Sequence, residues 1–279
     1  MAGIGGPLRR LFGRRTAGTA GGRELSEQPR PQFLVVGVQK GGTTSLYHHL
    51  AEHPRVRLGR VKEYHFFDEH FGRGLEWYRG QLPALEPGEI TGDFTPLYIF
   101  HPHALERIAQ YLPEARLIVL LRDPVDRAYS HYHHEVRLGR EARSFEAAIA
   151  EEPEMVEREW ARMIDDPDYF SPELQRHSYL TRGHYDEQLA RLFGLFPREQ
   201  VLVVQSERLF SAPHRALEGV WRFLELEPLE VSAFPVANDH HYPPLPEARR
   251  RQLQAHFRDH NRRLFELVGH PFDWSGDGP

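Results

Sequence analysis

One stretch, Phe33–Leu50 (FLVVGVQKGGTTSLYHHL), constrains this chain more than any other. Phe33–Val38 is an apolar, β-branched-rich run, which reads as a strand buried on both faces. Such strands belong to parallel sheets with helices above and below. A glycine-broken turn follows, and from Thr43 a helical pattern runs to Glu52. Gly41 and Gly42 allow backbone conformations that aim successive N–H groups inward, and Thr43, Thr44 and Ser45 add hydroxyls. A helix starting there turns the positive end of its dipole toward the same point. These features make a cradle for a phosphate-like anion, with Lys40 beside it. A nucleoside-triphosphate loop carries its lysine after the last glycine and a hydroxyl on magnesium. Here Lys40 precedes the glycine pair, so the cradle is of another kind. The plainer alternative is a glycine turn with a solvated lysine.

Two further strand signals, Leu117–Leu121 and Val201–Val204, are followed by helical patterns over Val125–Leu138 and Pro213–Leu224. More helix is expected at His103–Tyr111, Tyr185–Phe196 and Glu247–Leu267. The alternation predicts an α/β fold, a P-loop-like parallel β-sheet flanked by helices on both faces with right-handed crossovers. Glu151–Arg176 is acidic and weakly patterned, and is expected to be an irregular insertion near a binding edge. Ligands of such sheets sit at the carboxyl ends of the strands, which directs attention to the loops at 37–45, 121–130 and 205–212. In the second of these, LLRDPVDRAYSHY puts Arg122 at a strand tip. Asp123 is placed to cap the next helix, Pro124 suits its first position, and Ser130 falls about two turns in. Arginine forks match phosphate oxygens; a salt bridge from Arg122 to Asp123 or Asp126 is the alternative. Two phosphate sites on adjacent strands, with no evident magnesium ligand, point to a nucleotide with separated phosphates.

Composition narrows the function classes. The 279 residues are 40% hydrophobic and 27% charged, as in a globular protein. A single domain is expected over residues 31–279, after a disordered basic tail at 1–30 that carries Arg9, Arg10, Arg14, Arg15 and Arg23. The whole chain is nevertheless acidic, at −5, so general nucleic-acid binding is disfavoured. With no cysteine, thiol catalysis and cysteine-ligated metals are excluded. No apolar run is long enough to span a bilayer. The Arg9-Arg10 pair lacks the apolar stretch an export signal needs, so a cytoplasmic location is expected.

The motifs taken together resemble the sulfotransferases that use 3′-phosphoadenosine 5′-phosphosulfate (PAPS), and within them the heparan sulfate group and its bacterial relatives. VGVQKGGTTSL is similar to their 5′-phosphosulfate loop, LLRDPVDRAYSHY to their 3′-phosphate motif, and KEYHFFD (Lys62–Asp68) to their catalytic segment. GLEWYRGQLP, GDFTPLYIF and NRRLFELVGHPFDW extend the likeness over about residues 32 to 274. The resemblance implies that Lys40 stabilises the departing phosphate and that Gly41, Gly42, Thr43 and Thr44, with the neighbouring Ser45, hold the 5′-phosphate. Arg122 and Ser130 would grip the 3′-phosphate. Glu63 would be the general base on the acceptor, with His65 and Asp68 lining the reacting centre. Sulfuryl transfer needs alignment, a cation at the leaving phosphate and one proton acceptor. A lysine and a carboxylate meet that need, and no metal is expected. Pairing of Glu63 with Lys62 or Lys40, and a packed His65, are the structural alternatives.

Some residues depart from the family's pattern. Where the heparan sulfate enzymes commonly have Glu-Lys, this chain has Asp93 and Phe94, and their disulfide hairpin and Lys-Gly-Arg phosphate loop are absent. Arg249, Arg250 or Arg251 offer a replacement contact, or simply a solvated face. The expected acceptor is a small molecule or glycan, carbohydrate-like and sulfated on a hydroxyl more readily than on an amine. Phe66, Phe67, Trp77, Tyr78 and Tyr98 are candidates for its walls, with core packing the default for most. His131–His134 invites a metal reading, but no H-E-x-x-H pattern accompanies it. The competing functions are a P-loop kinase or NTPase using magnesium-ATP, and a non-catalytic nucleotide-binding module.

Overall fold

The computed structural model describes residues 30–229 and 242–274. Nearly all of the arginine-rich tail, and part of the 238–252 segment, lie outside them. Four strands, β1 (Phe33–Gly37), β2 (Gly92–Asp93), β3 (Arg116–Leu121) and β4 (Val201–Gln205), form one sheet in the order β2-β1-β3-β4. All three pairings are parallel. The three longer strands match the sequence reading to within a residue at each end. The two-residue β2 has no apolar run to announce it.

The helices are α1 (Thr43–Ala51), α2 (Gly74–Gln81), α3 (Ala104–Tyr111), α4 (Pro124–Arg137), α5 (Phe145–Asp165), α6 (Pro172–His177), α7 (Tyr185–Leu195), α8 (Ser206–Ser211), α9 (Pro213–Phe223) and α10 (Glu247–Val268). Alternation along the strands splits their side chains between two cores. Phe33, Val35, Ile118 and Leu120 pack with Leu46 and Leu50 of α1 and Leu217, Val220 and Trp221 of α9. Leu34, Val36, Leu117, Val119 and Leu121 pack with Ile108 of α3, Leu189 and Leu192 of α7 and Leu264 of α10. Both faces of β1 and β3 are sealed, which is why these strands read as unbroken apolar runs. Between Val35 and Gly37 the β1–β3 register slips: Val35 stands opposite Ile118, and Gly37 opposite Val119, so β1 carries one extra residue.

The irregular insertion expected at Glu151–Arg176 is corrected. Residues 145–165 are one long helix and 172–177 a short one. Two features hid them. Pro153 sits inside α5, where it removes one backbone donor. In addition, the inward face carries acids. Buried Glu152 accepts from the N–H groups of Leu180 and Thr181, each at 2.7 Å. Buried Glu159 accepts from the hydroxyls of Tyr169 and Ser171, each at 2.7 Å. A carboxylate paired in this way is tolerated inside, but it erases the hydrophobic stripe from the sequence.

Candidate active site

From β1 the chain runs first to β2 on one side and then crosses back to β3 on the other. The carboxyl ends of β1 and β3 therefore flank the place where the strand order reverses, the usual ligand crevice of an open α/β sheet. The loop after β1 is shaped by close backbone approach. A Cβ on Gly41 would stand 2.8 Å from the Leu120 carbonyl oxygen and 2.9 Å from that of Val38, so a side chain there cannot be seated without shifting the sheet. Gly42 has φ of 89° and leads directly into α1, whose first turn has no side-chain cap. Gly41 N–H donates to the Val38 carbonyl at 2.9 Å, and the Gly41 carbonyl accepts from Ser206 Oγ at 2.6 Å. That carbonyl is thereby held on the α8 side by a residue 165 positions along the chain.

Lys40 sits at the loop's tip with φ of 68°. Burial, and then the neighbouring charges of Arg122 and Arg137, push its ammonium down to about 8. Arg122 Nη1 donates to the Lys40 carbonyl at 3.3 Å, which places the two cations of adjacent loops side by side. The salt-bridge alternative for Arg122 is not what forms: Asp126 is held by Arg250 Nη2 at 2.6 Å. Asp123 caps α4 as read, accepting from Val125 N at 2.8 Å and Asp126 N at 3.0 Å. Its own N–H donates to Glu207 Oε1 at 2.8 Å, and Glu207 Oε2 also accepts from the Trp274 indole at 3.2 Å. Ser130 is buried further along α4. Thr43 and Ser45 are buried and Thr44 half-buried at the start of α1.

The segment 62–68 reaches this loop through one contact: Lys62 Nζ donates to Thr43 Oγ1 at 3.2 Å. The same Nζ lies 2.8 Å from Glu63 Oε1. Beyond it, Glu63 Oε2 is 3.4 Å from His65 Nε2, and His65 Nδ1 is 2.8 Å from Asp68 Oδ2. Burial alone would raise the Glu63 carboxyl, but the hydrogen bond from His65 and the charge of Lys62 outweigh it and hold Glu63 below its ordinary value. Burial pulls the His65 imidazole down; its bonds to Asp68 and Glu63 prevail and raise it to about 10. The result is a protonated imidazole between two carboxylates, the outer one exposed enough to meet a ligand and the inner one with no side-chain exposure.

Below this segment lies a rigid floor. Asp93, fully buried, accepts from the hydroxyls of Thr95 at 2.6 Å, Tyr98 at 2.8 Å and Tyr78 at 2.9 Å. Thr95 Oγ1 accepts in turn from the His65 N–H at 3.3 Å, at a residue whose φ of 50° is uncommon outside glycine. Phe66, Phe67, Tyr78 and Tyr98 belong to the core rather than to an acceptor wall, and Phe94 is buried against Phe33 and Tyr47. Of that aromatic set only Trp77 is partly open. His131 is buried against Tyr179 and His133 stacks on Tyr242, while His131 and His134 approach one Glu135 oxygen at 3.8 and 4.0 Å, so the run divides between packing contacts and a shared acid. Arg250 bonds Asp126, Arg249 lies 3.6 Å from Glu146 and Arg251 3.5 Å from Glu247. Each arginine of that cluster thus has an acid of its own.

A glycine-shaped turn and an arginine-bearing turn on neighbouring parallel strands, joined through Lys62 to the Glu63 carboxylate, suit a group-transfer enzyme with a phosphate-bearing donor. Comparison with known proteins names the group. The sulfotransferase domain family matches residues 30–239, and the chain belongs to that family: it is a PAPS-dependent sulfotransferase. Heparan sulfate glucosamine 3-O-sulfotransferase 6 of Mus musculus is 33% identical over 270 residues, covering 88% of this chain and 73% of its own length. Membrane-associated sulfotransferase kil1 of Dictyostelium discoideum is 26% identical, covering 88% of this chain, which spans 66% of that protein. The crystal structure of a sulfotransferase from Alicyclobacillus acidocaldarius superposes with a TM-score of 0.71 at 28% identity, covering 88% of this chain and 98% of that one.

These relatives overturn the cytoplasmic expectation. One of them is named as membrane-associated, which goes against that expectation. The expectation rested on a missing apolar leader, and such an absence carries no information about compartment. Among the described residues no helix is long and apolar enough to cross a membrane.

Proposed function

We propose that this enzyme transfers the sulfuryl group of PAPS to a hydroxyl of a carbohydrate acceptor, by in-line displacement at the crevice between the 38–42 loop and Lys62–Asp68. In this reading Glu63 takes the acceptor's proton as its oxygen bonds to sulfur. The bond from sulfur to the bridging oxygen breaks, and its electron pair stays on the 5′-phosphate, where Lys40 neutralises it. Gly42, Thr43 and Thr44 supply N–H and hydroxyl donors to the 5′-phosphate, supported by Ser45. Gly41 contributes by its small size, since its N–H already serves Val38. Arg122 and Ser130 take the 3′-phosphate.

The observation that carries this reading is the chain of contacts Thr43–Lys62–Glu63–His65–Asp68, which binds the base to the donor loop. His65 and Asp68 position Glu63. Lys62 has a second effect: while it sits on Glu63 the carboxylate is a weak base, and movement of Lys62 toward the incoming phosphosulfate raises Glu63's basicity where the acceptor arrives. The carbohydrate acceptor follows the named substrates of the relatives, and a hydroxyl rather than an amine follows the 3-O-sulfotransferases among them.

Calorimetric titration with 3′-phosphoadenosine 5′-phosphate, ADP and ATP, with and without magnesium, tests the donor. Metal-independent binding of the 3′-phosphorylated nucleotide alone is expected; preference for magnesium-ATP would instead favour a kinase. Incubation with PAPS and glucosamine-containing oligosaccharides should add one sulfate mass to the sugar. An acceptor screen in which only amines gain mass would refute the hydroxyl assignment.

A further inference from the structure

Away from the crevice, three histidines from two elements meet over an acid. His184 precedes α7, and His256 and His260 lie one turn apart on α10, so both project to the same side of that helix. His184 Nε2 is 3.1 Å from His256 Nε2. The His184 and His260 rings stack at 3.8 Å with 6° between their planes. Ligand atoms of His184, Glu187 and His260 all lie within 4.8 Å of one another.

We propose that His184, Glu187, His256 and His260 form a binding site for a divalent transition-metal ion of the zinc type, at the seam between α7 and α10. Four donors of this kind, nitrogen and carboxylate oxygen, suit tetrahedral zinc. Two imidazole nitrogens on one tetrahedral zinc, each at about 2.0–2.1 Å, stand roughly 3.3 Å apart. The His184–His256 separation is near that. His256 lies outside the three-way set, however, and the His184 and His260 rings are parallel. One of the stacked rings must therefore turn, and His256 swing inward, before all four donors face one ion. Glu187 and His256 are exposed while His184 and His260 are half-buried, which gives the ion a route in.

The surroundings match the requirements of metal ligands. Asp186 Oδ1 lies 2.7 Å from His260 Nδ1. A proton on Nδ1 donated to that carboxylate leaves Nε2 as the lone-pair nitrogen, the arrangement by which an outer carboxylate orients a ligating histidine. Arg263 also approaches His260 Nδ1, at 3.0 Å, but its Nε is bound to Asp186 Oδ2 at 2.6 Å, so Asp186 offsets its charge. The ion would fasten α10 to α7. The same helix carries Arg250 to Asp126 in the first turn of α4, so the clamp would steady one wall of the crevice without touching it.

Equilibrium dialysis of the full chain against zinc, and titration with cobalt(II) read by its tetrahedral visible bands, test the site. One equivalent of zinc is expected, with a rise in the unfolding midpoint. His184→Ala and the exposed His256→Ala should each lower zinc affinity by about tenfold or more, Glu187→Gln should weaken the cobalt bands, and His133→Ala should change neither. Unaltered stoichiometry and affinity in the His184→Ala and His256→Ala proteins would place the ion elsewhere and overturn the assignment. No zinc uptake by the unmodified chain would do the same, leaving His184 and His256 as a hydrogen-bonded pair. If His184→Ala fails to fold, His256→Ala and Glu187→Gln, both at exposed positions, still decide the question.

Discussion

The 38–42 loop and the 62–68 segment face one another across the crevice, and they are built on opposite principles. The loop is fixed by main chain: Gly41 against the Leu120 carbonyl, Arg122 on the Lys40 carbonyl, Ser206 on the Gly41 carbonyl. Its charges are predominantly positive. Lys40 is buried and lies near Arg122, Arg137 and Lys62, with Glu135 a partial offset, and burial first and then those cations lower its affinity for a proton. The acidic segment is fixed by side chains and is already neutralised, with Lys62 on Glu63 and His65 between Glu63 and Asp68. The difference teaches that the loop side of the crevice is an excess of cations held by main chain, whereas the 62–68 side is a side-chain network whose charges already pair with one another.

Four substitutions or conditions break or sharpen this contrast. The largest effect is expected from Glu63→Ala, which should lower turnover by about 10²–10⁴-fold. Affinity for 3′-phosphoadenosine 5′-phosphate should stay within about twofold, because the loop does not depend on the segment's acid. A fully active Glu63→Ala enzyme would remove Glu63 from the base role. Lys40→Ala should cost about 10²–10³-fold in turnover and weaken nucleotide binding as well; an unchanged rate with either ligand would refute its place at the leaving phosphate.

Gly41→Ala acts on the main-chain side of the contrast. Its Cβ has nowhere to go but into the Leu120 and Val38 carbonyls, so denaturant melts should show a loss of about 1–3 kcal/mol, together with weaker nucleotide binding. Wild-type stability in that variant would mean the loop is softer than its contacts imply. The smallest effect is a pH dependence. In the free protein Lys40 loses its proton near 8, well below the ordinary lysine value, and a bound phosphate restores it. Binding therefore takes up a proton above about pH 8, and affinity should fall as pH rises through that point, by at most about tenfold per unit. Lys40→Met should abolish the slope. A flat profile in the wild type would show that the ammonium remains charged without ligand.

How much of this was legible beforehand depends on sequence distance. Strand, glycine pair, hydroxyls and helix lie within eighteen consecutive residues, so the cradle could be read directly, as could the Asp123–Pro124 helix start. What braces them could not. Ser206 reaches Gly41 across 165 positions, Glu207 reaches Asp123 across 84, and Lys62 reaches Thr43 across 19; no local pattern encodes such pairings. Arg182 on Gln39 is of the same kind, held in turn by the turn that Glu152 organises. Lys62 was visible as a partner for Glu63, yet its link to the donor loop was not. The histidines make the point most plainly. Adjacency drew attention to His131–His134, of which His133 goes to a stacking contact and His131 and His134 to Glu135, whereas the cluster of three histidines spans 72 residues between His184 and His256. The aromatic run around Phe66 failed as a pocket wall because Asp93 draws Tyr78 and Tyr98 inward.

The extra residue in β1 has a wider meaning. Because Val36 is accommodated without a counterpart on β3, the 38–42 loop and Arg122 leave the sheet at heights fixed relative to each other by that slip. One residue of strand is about 3.3 Å, a substantial fraction of the gap between two phosphates on one ribose-linked nucleotide. The sheet thus works as a calliper: the offset between the two loops is set by main-chain register, independently of the side chains they carry. Exchanging Arg122 or Lys40 would therefore alter the charge at each loop and leave that offset in place; changing the offset would require resetting β1 itself.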